Sequence, residues 1–307
     1  MKRFVIDTDA GVDDAQAILL AFGQKDVKIE AFTTVCGNVG VDKTTANVLK
    51  ILDLVGQDVP VYPGCARPLV NQPLSASYVH GEDGLGDAGI PASKRKAEKK
   101  HAAQALVDIA NENPGEISLI AIGPLTNLAT AVQLDPELPR KYKELTIMGG
   151  AILARGNTNI TAEFNVYADP EAAFIVFDRW PKVRVLSWET TMGHVLTAEN
   201  LDDIFALKTP KSKFFHDTNQ IVLKFAQDVM HQRILFAPDG LTVAAAINPK
   251  IVNRKEEHYM SVELSGKNTR GMTYVDWLDQ SGKEANAEII LEINQPLFVE
   301  MFETGLS

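Results

Sequence analysis

The sequence predicts an α/β fold: a mostly parallel, open β-sheet flanked by helices, with a small β-containing part at the C-terminus. Apolar strand-like runs alternate with helical spacing almost throughout the chain, the βα rhythm of a parallel sheet covered by helices. Clusters of Asp, Asn and Gly follow strand after strand, which sets them along one edge of that sheet. With 307 residues, 45% hydrophobic and 23% charged, the chain has length for a large core, and one domain over residues 1–307 is the simplest organisation.

The first strand carries Val5 and Ile6 and runs into Asp7-Thr8-Asp9-Ala10-Gly11-Val12-Asp13-Asp14. Gly11 suits a sharp turn, and Asp13 or Asp14 suits the cap of a helix whose buried face starts at Ala15, Ile18 and Leu19. Four carboxylates so close to a strand end repel one another in a dry crevice unless protons or a cation compensate. With no Cys or His among them, the hard oxygens favour Ca²⁺ or Mg²⁺ over zinc.

Val27 to Val35 reads as the second strand and ends at Cys36-Gly37-Asn38. Val48, Ile51, Leu52 and Val55 then fall on one helical face. A short strand at 59–62 opens a Gly-, Pro- and Ser-rich stretch over 64–100 that holds His80, and a loop this long is usually functional. A helix over 102–111 and a strand over 117–122 lead to Gly123-Pro124-Leu125-Thr126-Asn127, where Pro124 suits a first helical turn. A strand over 144–148 ends at Gly149-Gly150, and residues 155–170 form a polar loop. A helix at 171–177, a strand at 183–186, a largely helical stretch over 197–236 and a short helix over 241–247 follow. The tail has β-like segments at 259–264, 272–275 and 287–293, closed by a helix at 296–302. Asp7, Asp9, Asp14, Asn38, the Ile122 carbonyl, Asn157, Glu163, Asn165 and Asp239 are all placed to line one cavity beyond the strand ends.

The formal net charge of -10, with basic runs only at Lys94-Arg95-Lys96 and Lys99-Lys100, argues against nucleic-acid and anionic-membrane partners. The N-terminus enters a strand directly, and no apolar run reaches membrane-spanning length. Two cysteines, Cys36 and Cys65, make no disulfide framework in a chain this long, so a reducing, cytoplasmic setting is expected.

Taken in order, Asp7-Thr8-Asp9-x-Gly11-x-Asp13-Asp14, Gly37-Asn38-Val39, Gly123-Pro124-Leu125-Thr126-Asn127, Met148-Gly149-Gly150 and Glu163-Phe164-Asn165 make the chain resemble the inosine–uridine-preferring nucleoside hydrolases over nearly its whole length. The resemblance implies a Rossmann-like nucleoside hydrolase fold and one Ca²⁺ held by Asp9, Asp14, the main-chain oxygen of Ile122 and Asp239. It implies hydrolysis of the N-glycosidic bond of ribonucleosides by a water that the metal acidifies and Asp9 deprotonates, with inversion at the anomeric carbon. Asp13, Asn38, Asn157, Glu163 and Asn165 would grip the ribose: Asp13 and Asn165 its 2′- and 3′-hydroxyls, Asn157 and Glu163 its 5′-hydroxyl. Met148 and Phe164 would be walls of the pocket. A homodimer or homotetramer is implied as well. A carboxylate near the 5′ position, with no Arg or Lys motif, points to free nucleosides rather than nucleotides.

The sequence departs from the family at one point. Members acting on inosine and uridine usually carry a His immediately before the late calcium-binding Asp, and here that position is Pro238. His80 is retained in the substrate-facing loop as a candidate leaving-group acid, its ordinary pKa suiting acid work near neutrality. His231 and Arg233 are further candidates, and Trp188 or Trp277 would serve if the base is activated by stacking instead. Cys36, next to Asn38, is read as buried packing. Two other readings compete. One is a catalytically weak calcium-dependent nucleoside or ribose binder; the other is a haloacid-dehalogenase-like phosphatase, which requires a later Lys and acidic pair.

Overall fold

Phe4 and Ile6 sit in one hydrophobic cluster while Val5, between them, sits in another, because successive side chains of a strand leave opposite faces. The same split separates Phe32 from Ala31, Ile120 from Leu119 and Met148 from Ile147. A sheet buried on both faces results, with each large apolar side chain contributing about 1.5–3 kcal/mol relative to exposure. The computed structural model describes residues 1–307, Met230 by its backbone alone.

The strands are β1 (Lys2–Thr8), β2 (Val27–Thr34), β3 (Val61–Pro63), β4 (Ile117–Ala121), β5 (Leu145–Met148), β6 (Val183–Leu186), β7 (Val252–His258), β8 (Met260–Val262), β9 (Thr273–Val275) and β10 (Ala287–Ile293). The helices are α1 (Val12–Gly23), α2 (Val41–Val55), α3 (Ser77–His80), α4 (Ala102–Glu112), α5 (Thr126–Leu134), α6 (Leu138–Lys141), α7 (Phe164–Ala168), α8 (Pro170–Arg179), α9 (Trp188–Met192), α10 (Ala198–Ala206), α11 (Pro210–Met230), α12 (Pro238–Ile247) and α13 (Gln295–Leu306). Eight strands form one sheet in the order β3-β2-β1-β4-β5-β6-β10-β7, and β8 with β9 forms a separate pair. All neighbours in the large sheet are parallel except β10 and β7. No helix is long and apolar enough to cross a membrane.

The chain leaves β1 toward β2 on one side and resumes beside β1 with β4 on the other. The crevice beyond the carboxyl ends of β1 and β4 is therefore a topological switch point, where open α/β sheets bind ligands. The acidic segment after β1 opens into it.

Several local expectations are corrected. Neither Asp13 nor Asp14 caps α1: Gly11 is the N-cap residue, and the Asp14 side chain, at the third helical position, accepts from the Gly11 N–H at 2.7 Å. Gly11 has φ -93°, so its freedom is not conformational; a Cβ there would lie 2.6 Å from both Asn38 Nδ2 and His80 Nδ1. Pro124 precedes α5 rather than starting it, and Pro238 with Asp239 belongs to α12, which begins earlier than its apolar pattern indicates. The pair β8–β9 is the small β-containing part expected near the C-terminus, while β10 and the unanticipated β7 complete the main sheet. The charged segment Asn253-Arg254-Lys255-Glu256-Glu257 conceals β7 because an edge strand with a solvated face shows no apolar run.

Candidate active site

Asp9 stands just past β1, clamped between two glycine backbones. A Cβ on Gly37 would lie 2.0 Å from Asp9 Oδ2, and one on Gly123 would lie 2.7 Å from Asp9 Oδ1. The Asn38 N–H donates to Oδ2 at 2.7 Å, while the buried Oδ1 has no partner. Asp14 is held from three sides, by the Thr8 hydroxyl, the Gly11 N–H at 2.7 Å and Asn38 Nδ2 at 3.1 Å. Asp239, in the first turn of α12, completes the group: oxygens of Asp13, Asp14 and Asp239 all lie within 4.8 Å of one another.

These groups leave water without gaining a cation from the protein. Burial, reinforced by the charge of Asp14, pushes Asp9 well above the usual carboxylate range. Burial and then the charges of Asp13, Asp14, Asp9 and Glu163 do the same to Asp239. Burial lifts Asp13 to about 6, and burial together with the charge of Asp13 lifts Asp14 to about 7.

The four carboxylates of the opening motif do not act as one set, however. Asp7 lies within β1 and does not line the cavity; the Thr33 hydroxyl and Asn127 Nδ2 (2.8 Å) donate to its Oδ1. Its side chain is a buried strut tying β1 to β2 and α5, with a pKa lifted by burial to about 7.

The cavity encloses about 480 Å³. Asp13, Asn38, the Ile122 residue, Asn165 and Asp239 line its polar floor, and Asp9 and Asp14 are buried behind that lining. Glu163 caps α7, and its two oxygens accept from the N–H groups of Gly150 (2.9 Å), Asn165 (2.9 Å) and Val166 (3.3 Å). Burial lifts its pKa to about 7 even so. Asn157 Oδ1 accepts from the Phe164 N–H at 2.8 Å, which leaves its amide nitrogen to donate elsewhere. Asn165 Nδ2 donates at 3.3 Å to the carbonyls of Ile122 and Met148, leaving its Oδ1 as an acceptor. Met148 and Phe164 both line the cavity.

His80 also lines it, and its electrostatics correct the sequence-based expectation. The Val12 N–H donates to His80 Nδ1 at 3.1 Å, so the neutral ring carries its proton on Nε2. Burial depresses its pKa to about 4, against a partial offset from Asp14, and the imidazolium is not populated near neutrality. The 3.7 Å approach of Asp13 Oδ1 to Nδ1 is accordingly not an ion pair. His231 ends α11 in a left-handed conformation on an exposed site, Arg233 pairs with Asp202 at 2.6 Å, and neither lines the cavity. Trp277 packs edge-on to His258 at 4.9 Å, outside the cavity lining, and buried Cys36 has its thiol pushed up to about 11 by burial.

Trp188, the other stacking candidate, is on the short α9 and lines the cavity with its ring centroid 5.3 Å from that of Phe236. Two contributors were not anticipated. Val222, Phe225 and Val229 of α11 form an apolar wall. Gln16 of α1 also lines the cavity, and the signal for it was present as a polar residue inside an otherwise apolar helical face. No Lys or Arg lines the cavity among the described residues, so the phosphate-handling alternative has no cation to work with.

The fold and the acidic floor at the switch point define the class of the protein, a hydrolase, and comparison with known proteins identifies the family. The model of the inosine-uridine preferring nucleoside hydrolases matches residues 4–300, and the chain belongs to that family. The inosine-uridine preferring nucleoside hydrolase of Crithidia fasciculata is 33% identical over 296 residues, 95% of this chain and 93% of the relative. Uridine nucleosidase 1 of Arabidopsis thaliana is 37% identical over 261 residues, 83% of this chain and 76% of the relative. Among solved structures, a plant nucleoside hydrolase superposes with TM-score 0.93 at 30% identity, covering 99% of this chain and 98% of the other. A purine-preferring ribonucleoside hydrolase from Gardnerella vaginalis does so with TM-score 0.92 at 29% identity and the same coverage.

Proposed function

We propose that the protein cleaves the N-glycosidic bond of free ribonucleosides to ribose and base, with Asp9 as general base and Ca²⁺ as the resident cation. The observation that carries this reading is the convergence of Asp13, Asp14 and Asp239 within 4.8 Å in a cavity without Lys or Arg. Buried carboxylates at that spacing require protons or a hard cation, and an all-oxygen donor set fits calcium. Asp9, Asp14, Asp239 and the Ile122 carbonyl would hold it, and when bound it supplies positive charge that keeps these carboxylates ionised and makes nearby water more acidic.

The remaining work falls to the chain itself. Asp9, fixed through Oδ2 by Asn38, keeps Oδ1 free to take the proton of the attacking water. Asp13 and Asn165 hold the sugar diol, with Asn38 fixing the floor behind them through its bonds to Asp9 and Asp14. Asn157 and Glu163 receive the 5′-hydroxyl. The departing base meets His80 as a neutral Nε2–H donor, a hydrogen bond to the leaving group rather than transfer from an imidazolium. Water attacking from the floor side gives inversion, with the carboxylates stabilising the oxocarbenium-like transition state. A cytoplasmic homodimer or homotetramer completes the reading, which light scattering tests.

The deciding experiment incubates inosine, uridine, cytidine and adenosine with wild-type protein and Ca²⁺ and assays free ribose. Saturable binding with negligible ribose release would identify a binder instead. The same panel with His80→Ala is expected to lose turnover unevenly among the bases.

A further inference from the structure

Of the buried polar side-chain atoms that lack a partner, Gln16 Oε1 is the one on a cavity-lining residue, among the described residues. Gln16 is 2% exposed and lies one helical turn beyond Val12, whose N–H orients His80. Its amide cannot be flipped. Gln16 Nε2 donates to Asn219 Oδ1 at 2.8 Å, and Asn219 Nδ2 is itself committed to the Phe215 carbonyl at 2.7 Å. Asn219 must therefore present its oxygen, Gln16 must present its nitrogen to it, and Gln16 Oε1 is left as an acceptor with no donor. A buried acceptor in that state is destabilising and calls for a partner that the protein alone does not supply.

The position indicates which partner. Asn219 stands one turn before Val222, at the foot of the apolar wall that continues through Phe225 and Val229 of α11. With the sugar on the carboxylate floor, the base occupies the apolar half, and its polar edge has few groups there to meet.

We propose that Gln16 is a specificity-determining residue for the base: its Oε1 accepts a hydrogen bond from an N–H on the base edge remote from the glycosidic bond. This rests on the nucleoside-hydrolase reading above. Two kinds of base carry such a donor, those with a ring N–H (hypoxanthine, guanine, uracil) and those with an exocyclic amine (adenine, cytosine). A base stripped of the donor leaves Oε1 unpaired in the complex as well, and such losses weigh more than the loss of a methylene.

The test compares kcat/KM within matched pairs: inosine against 1-methylinosine, uridine against 3-methyluridine, and adenosine against purine riboside. Each pair is run in wild type and in Gln16→Met. The wild type is expected to discriminate by about tenfold to a hundredfold in the ring N–H pairs, the amine pair, or both, which identifies the donor. Gln16→Met is expected to close that gap to within about threefold, by slowing the donor-bearing member rather than its analogue. A ratio taken within one preparation is independent of the fraction folded, so a destabilised variant still reports. An equal gap in both proteins, or no gap in the wild type, overturns the assignment while leaving the hydrolase reading intact. Failure of the wild type to release ribose from any nucleoside removes the hydrolase reading, and the role of Gln16 with it.

Discussion

Asp14, behind the floor of the cavity, and Val229, on its apolar wall, are held in opposite ways. Asp14 is fully buried and fixed by Thr8, Gly11 and Asn38, on a helix packed against α12 and α13. Val229 is 61% exposed near the last turn of α11, beside Phe225 at 42%. On the floor, a displacement breaks several hydrogen bonds at once and exposes buried charge to a poor environment. Along the wall, contacts are apolar, non-directional and partly open to water, so substitution changes fit without unfolding anything. The catalytic and sugar-binding roles proposed above thus fall to the rigid part, together with the proposed Gln16 contact to the base, while the adjustable wall tunes how the base fits.

The strongest way to break this contrast is Asp9→Asn. Removing the general base is expected to lower kcat by about 10²- to 10⁴-fold. Thermal stability of the metal-free protein should hold, since burial already disfavours the charged form of Asp9. Wild-type turnover in this variant would remove Asp9 from its role. Next comes the 5′ end of the sugar: with Glu163 there and no cation lining the cavity, a nucleoside 5′-monophosphate should show kcat/KM lower by roughly a hundredfold or more. Equal rates for nucleotide and nucleoside would contradict the placement of Glu163.

A third measurement reads the floor through pH. Asp13 and Asp14 have pKa values raised to about 6 and about 7 in the folded protein, above the ordinary carboxylate value. The folded state then binds more protons than the unfolded chain between about pH 4 and 7, so stability of the metal-free protein falls as pH rises through that window. Calcium, binding the ionised form, is expected to raise the melting temperature more at pH 8 than at pH 5. A calcium effect independent of pH would argue against these carboxylates as ligands. The smallest expected effect is on the wall. Val229→Ser should leave the melting temperature unmoved and shift KM by no more than about threefold, with the shift differing between purine and pyrimidine nucleosides.

Most of the floor was legible because its signals are local. Strand-to-helix turns with Asp, Asn and Gly at fixed offsets point to Asp9, Asp14 and Asn38, the family resemblance points to Asp239, and two-residue alternation names the sheet faces. Asp7 misled because proximity in sequence to Asp9 says nothing of which face of β1 a side chain leaves; the Thr33 and Asn127 bonds hold it away from the cavity. The His80 pKa was misjudged for a related reason, since burial is a tertiary property. The wall was hardest to foresee. Val222, Phe225 and Val229 read as one apolar stripe of α11, and whether a stripe meets a core or a ligand depends on what stands opposite.

Both margins of the main sheet carry a further consequence. At one end β3 is three residues long and finishes at Pro63, which has no N–H to offer; at the other, β7 displays Arg254, Lys255, Glu256 and Glu257. A strand from another molecule finds little to zip onto at either border. Pairing of copies edge to edge is thereby disfavoured, and the sheet stays the private interior of one chain.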